Sequence, residues 1–157
     1  MSSLQQLHEL CVEKKMFIAT AESCTSGLLS STITSSAGAS SFFKGGVVAY
    51  KNDIKINFLG VSKSLIEDKT AVSLEVTEQM AEGVRNRFLV DLSVATTGYA
   101  GPTGGTKLNP LGTVFIAVAS NEKMISKRFV FQGGRQSVVS QTVVKAIDIL
   151  VEVLKNQ

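Results

Sequence analysis

The sequence predicts an α/β fold: a mixed, mostly parallel sheet containing an antiparallel strand, covered by helices on both faces. Three observations carry this reading. Short apolar runs alternate with segments of helical period, the pattern of strands separated by covering helices. One pair of runs, LGTVFIAVAS and MISKRFVF, is joined by a turn at Asn121-Glu122 and so returns on itself as a hairpin. No repeat, linker or low-complexity tract interrupts the 157 residues, so residues 1–157 read as a single domain.

The elements follow in order. Ser3-x-x-Gln6 has the form of a capping box, opening a helix with Leu4, Leu7 and Cys11 on one face. MFIATA is a short buried strand ending at Glu22, and ESCTSG leads from it into a helix over LLSSTITSS. GGVVAY is the second strand; Asn52 is placed to cap the short helix NDIKINFLG. Ser73 caps a helix whose Val76, Met80 and Val84 recur at helical spacing. DLSVATTG is the third strand and runs into the Gly/Pro-rich loop YAGPTGGTKLNP. LGTVFIAVAS is apolar on both faces, as a strand flanked on both sides should be. The last helix turns Val139, Val143, Ala146, Leu150 and Leu154 toward the core.

Composition narrows the function. A hydrophobic content of 44% with 18% charged residues describes a globular chain. A net charge of +3, from 16 Lys+Arg against 13 Asp+Glu, is slight and scattered, which argues against a nucleic-acid partner and suits a small anionic ligand. Cys11 and Cys24 make neither a disulfide framework nor a zinc site, and His8 is the only histidine, so neither a metal nor a cofactor is expected. No apolar stretch suggests a signal peptide or a membrane span, and a cytoplasmic protein is the expectation.

Two polar loops fall at the carboxyl ends of strands, where ligands gather in open α/β sheets. ESCTSG offers hydroxyls and amides beside a helix start, suited to phosphate or carboxylate, or to plain helix capping. Glu22 reads there as an acceptor organising hydroxyls and amides. TGYAGPTGG has the glycine density of a phosphate cradle without matching a nucleotide-binding motif, and equally suits a flexible connection. Cys24 could be a thiol nucleophile, but no motif ties His8 to it as a base, and a small buried residue is the plainer role. Ser41-x-x-Lys44 has the spacing of a serine–lysine motif that belongs on a helix, yet Gly45-Gly46 follows at once. Ser40, Tyr50 and Lys55 remain. Lys55 could act as a base if burial lowered its pKa, with Tyr50 orienting it or giving it a hydrogen bond. On the residues alone, a loop serine and a surface lysine are the plainer reading.

In order along the chain, TAESCTSGLLSSTIT, GASSFFKGGVVAYKNDIK, AVSLEVTEQMAEG, TGYAGPTGG and NPLGTVFIAVA resemble the CinA carboxy-terminal domain family, the nicotinamide-mononucleotide amidohydrolases. The resemblance covers nearly the whole chain. It implies a three-layer α/β/α sandwich and a metal-free serine amidohydrolase that converts nicotinamide mononucleotide to nicotinate mononucleotide and ammonia. It implies Ser40 as nucleophile, Lys55 as base and Tyr50 as an active-site tyrosine. Substrate binding would fall to Ser23, Thr25 and Gly27 in the first loop, to Thr97, Gly98, Gly101 and Gly104 in the second, and to Arg135. The implied partner is a small nucleotide substrate, and a homo-oligomer is compatible. A non-catalytic nucleotide-binding or regulatory module is the alternative. The family's ESCTGG is ESCTSG here, its YSNEAK is YKNDIK, and its EKPVGTV is LNPLGTV.

Overall fold

In a computed structural model that describes residues 1–157, the chain forms one five-stranded sheet between two helical layers. The elements are α1 (Ser3–Lys14), β1 (Ile18–Glu22), α2 (Leu28–Ile33), a 3-10 turn (Ala39–Ser41), β2 (Phe43–Val48), α3 (Asn52–Leu59) and α4 (Lys63–Lys69). They continue with α5 (Leu74–Phe88), β3 (Leu92–Gly98), β4 (Thr113–Ser120), β5 (Met124–Val130) and α6 (Arg135–Lys155). Strand order is β2-β1-β3-β4-β5, with β1 parallel to β2 and β3, and β4 antiparallel to β3 and β5. Four strands therefore point one way and β4 alone runs back. No helix is long and apolar enough to cross a membrane.

Alternation along each strand feeds two cores. Ile18, Val94 and Ile116 face Leu7 and Cys11 of α1, Leu29 and Ile33 of α2, and Leu150 and Leu154 of α6. The opposite face carries Ala19, Ala21, Ala95, Ala117 and Ala119 beneath α5, which supplies Val76, Met80, Ala81 and Val84. Small side chains on that face let α5 lie close across the sheet. Gly83 explains why α3 sits where it does. A Cβ there would stand 1.8 Å from the Leu59 carbonyl oxygen, so only glycine lets α5 meet the end of α3 backbone to backbone.

Three local expectations change. The capping box uses Ser2 and Gln5, because the Ser3 hydroxyl instead donates to Asp148 of α6 at 2.6 Å. Asn52 is the first residue of α3 and does not cap it; Lys51 is the cap and makes no side-chain bond there. Helix α4 was not expected from the sequence; Ser62 caps it by accepting from the Leu65 amide.

The turn after β1 contains two consecutive left-handed residues, Ser26 (φ 43°) and Gly27 (φ 103°). Serine pays a steric cost there that glycine does not, partly offset by the freedom glycine loses on folding. Ser26→Gly should therefore stabilise the protein by roughly 0.5 kcal/mol. A urea midpoint equal to or below that of the wild type would contradict this.

Candidate active site

Because β1, β2 and β3 are parallel and in register (Glu22 opposite both Val48 and Thr96), their carboxyl ends lie level and their outgoing loops converge. Between them lies a cavity of about 290 Å³, near the lower end for small-molecule sites. Ser23 and Cys24 follow β1, Tyr50 follows β2, Asn52 and Lys55 come from α3, Thr97 and Gly98 end β3, and Tyr99, Ala100, Gly101 and Thr103 follow it. Ala71, Val72 and Arg135 complete the lining, and no acidic residue is among the fourteen. A larger hollow of about 590 Å³, between the end of α3 and α5, contains no serine, cysteine, threonine or lysine.

At the centre, Lys55 Nζ lies 3.1 Å from Ser23 Oγ and donates at 3.1 Å to the Tyr50 main-chain carbonyl. Lys55 is only 2% exposed, and neither ion pair of the chain includes it. Burial therefore pulls its amine down from an ordinary 10.5 to about 8. A Cys24 thiolate would oppose that shift, but burial holds the thiol itself up to about 12. Cys24 thus stays protonated at neutral pH, poor as a nucleophile and neutral as a neighbour of the lysine. Ser23 is 8% exposed, and its amide is pinned to the Thr96 carbonyl at 3.0 Å. The amides of Cys24 and Ala100 donate to no oxygen of the chain.

Arg135 forms the far wall. Its guanidinium donates to the Gly101 carbonyl at 2.7 Å and to the Tyr50 hydroxyl at 2.9 Å, without a carboxylate partner. Both acceptors are neutral, so an anion entering the cavity offers Arg135 a stronger, charge-assisted partner.

The structure brings together Ser23, Tyr50, Lys55, Thr97, Gly98, Gly101 and Arg135. It does not bring Ser40 to them. Ser40 is exposed, in the turn before β2, whereas Lys55 lies beyond the other end of that strand. Six residues of strand separate the two ends by roughly 20 Å, so Ser40 is no partner for Lys55. Ser23, not Ser40, is the serine that the structure sets beside Lys55. Thr25 and Gly27 lie outside the lining: the Thr25 hydroxyl and the Gly27 amide both donate inward to Glu22, at 2.6 and 3.1 Å. Gly104 lies outside the lining, while Thr103, Tyr99 and Ala100 are in it. The Thr97 hydroxyl lines the cavity but donates to the Ala71 carbonyl at 3.2 Å. Tyr99 carried no individual signal in the sequence beyond its place in the glycine loop.

Comparison with known proteins matches this architecture. The model of the CinA C-terminal domain family aligns with residues 2–154. A putative competence-damage inducible protein of Thermoanaerobacter pseudethanolicus is 44% identical over 142 residues, 90% of this chain and 34% of that protein. A CinA-like protein of Flavobacterium psychrophilum is 42% identical over 96% of this chain and 36% of its own length. The chain thus spans about a third of the curated relatives it matches. A crystal structure of a CinA superfamily protein from Klebsiella pneumoniae superimposes with a TM-score of 0.95 at 30% identity, covering 99% of this chain and 97% of that one. A CinA superfamily protein from Enterobacter cloacae gives 0.93 at 33% identity, over 97% and 90%. Family model, curated relatives and solved structures agree over nearly the whole length, and the chain belongs to the CinA C-terminal domain family.

Proposed function

We propose that this protein is a serine amidohydrolase that deamidates nicotinamide mononucleotide, with Ser23 as nucleophile and Lys55 as base. The observation that carries the reading is the 3.1 Å approach of a buried lysine, without a carboxylate partner, to a serine hydroxyl in an acid-free cavity. Neutral Lys55 accepts the Ser23 proton as Oγ attacks the carboxamide carbon. The oxygen that gains charge needs donors, and the amides of Cys24 and Ala100, two lining residues whose N–H groups bond no oxygen of the chain, are the candidates. The C–N bond then breaks as the Lys55 ammonium returns its proton to the departing nitrogen. Water, deprotonated by the same lysine, releases nicotinate mononucleotide. Arg135 takes the phosphate in exchange for the Tyr50 hydroxyl, and the absence of carboxylates in the lining favours an anionic substrate.

The test is to incubate the purified protein with nicotinamide mononucleotide and measure ammonia and nicotinate mononucleotide. Stoichiometric product at a rate unaffected by EDTA supports the reading. Binding of the nucleotide without ammonia would replace it with the non-catalytic module.

A further inference from the structure

We infer that Glu22 is a positioning residue for Ser23, holding the nucleophile's turn by filling its nest of amides from within; the inference rests on the reading of Ser23 as nucleophile. Glu22 is fully buried and meets no cation. Five donors converge on it instead. Its Oε1 accepts from the Thr25 hydroxyl at 2.6 Å, the Gly27 amide at 3.1 Å and the Leu29 amide at 2.9 Å. Its Oε2 accepts from the Ser30 amide at 3.0 Å and the Ser30 hydroxyl at 2.6 Å.

Three of the five are main-chain amides, which can only donate, so both side-chain oxygens of Glu22 act as acceptors. These are the amides that a phosphate would need in this loop, and the chain's own side chain occupies them. The ligand's anion is thereby directed to Arg135.

The consequence for Ser23 is geometric. Its turn, residues 23–27, contains the two left-handed residues, and α2 after it is only six residues long. Neither would hold the turn unaided. Glu22 ties the far end of the turn back to the end of β1. Thr25 extends the tie across the sheet: its hydroxyl donates to Glu22 and so accepts from the Thr96 hydroxyl at 2.8 Å. Lys55, by contrast, is set by α3 on the opposite face of the sheet. The Ser23–Lys55 distance is therefore fixed by two independent supports, and Glu22 is the support on the serine side. Misplacement of a reacting group by about 1 Å can cost 10² in rate.

The experiment compares Glu22→Gln, Glu22→Ala and Thr25→Val with wild type, measuring kcat and KM for nicotinamide mononucleotide together with the rate at which a fluorophosphonate labels Ser23. Circular dichroism confirms that each variant is folded. Glu22→Gln keeps one oxygen acceptor but turns an NH₂ toward the Ser30 donors. The expected result is a kcat reduced at least tenfold, with KM within about twofold and the pH midpoint near 8 unchanged. Serine labelling should slow in parallel, with a smaller effect in Thr25→Val. Formate should raise the kcat of Glu22→Ala in a saturable way by entering the vacated nest. Folded Glu22 variants with wild-type kcat and labelling would overturn the inference, as would a lowered kcat that formate leaves untouched while labelling stays normal. Because labelling needs no deamidation, an inactive wild type with a reactive Ser23 would count against the proposed substrate and not against Glu22. If Glu22→Ala does not fold, the Glu22→Gln and Thr25→Val results decide.

Discussion

Ser23→Ala is expected to lower deamidation at least ~10³-fold while leaving the fold intact, as removal of a nucleophile from a hydrogen-bonded dyad does elsewhere. The small side chain fits the space Ser23 occupies, and the hydroxyl's one side-chain partner is Lys55. Ser40→Ala provides the contrast. Ser40 is exposed at the opposite end of β2, and an exposed substitution of this kind changes stability within about 0.5 kcal/mol. It should keep the wild-type kcat within about twofold. The pair is measured as ammonia release at saturating substrate, with circular dichroism on both variants. An active Ser23→Ala protein would remove the nucleophile from the mechanism. An inactive, folded Ser40→Ala protein would mean that the two ends of β2 are functionally joined in a way the present geometry does not allow.

The contrast also shows where sequence reasoning stops. Loops at the carboxyl ends of parallel strands are legible because strand, loop and helix alternate in the chain, and both glycine-containing loops fall where that rule puts them. Burial of Lys55 was not legible: on the residues alone a surface lysine is the plainer reading, and of the apolar pair Ile56 and Phe58 that made burial conceivable, Phe58 is exposed. Which serine meets the lysine was not legible either. Ser40 and Ser23 lie 15 and 32 residues from Lys55, and neither separation is a helix or strand period. The choice depends on which end of β2 each serine occupies, which the parallel pairing with β1 decides. The same limit hid the fate of ESCTSG: hydroxyls beside a helix start look the same whether they face a ligand or an internal carboxylate. Helix α4 escaped for a simpler reason. In KSLIEDK only Leu65 and Ile66 turn inward, too few to display a period.

The strongest pH effect should come from Lys55. Its amine titrates near 8 in the folded protein, so kcat/KM should fall about tenfold for each pH unit below that value and level off above it. Lys55→Arg, charged at every working pH, should be inactive. Tyr50→Phe should leave the midpoint in place, because the lysine donates to the main-chain carbonyl of residue 50 and the phenol serves Arg135. That differs from the role the sequence suggested for Tyr50, and the variant should act on KM instead. The same shift governs stability. Between pH 8 and 10.5 the unfolded chain still binds a proton at residue 55 that the folded protein has released, so folding stability rises with pH across that window. Below pH 8 the folded protein must bury the ammonium. Lys55→Met should accordingly melt above wild type at pH 7 while losing activity, and the gap should narrow as pH approaches 10.5. Profiles of kcat/KM for the wild type and Tyr50→Phe, with melting curves of Lys55→Met at pH 7 and 10, test the whole chain of cause. A flat rate profile between pH 6 and 9, or a Lys55→Met protein no more stable than wild type at pH 7, would show that burial does not hold this lysine in its neutral, basic form.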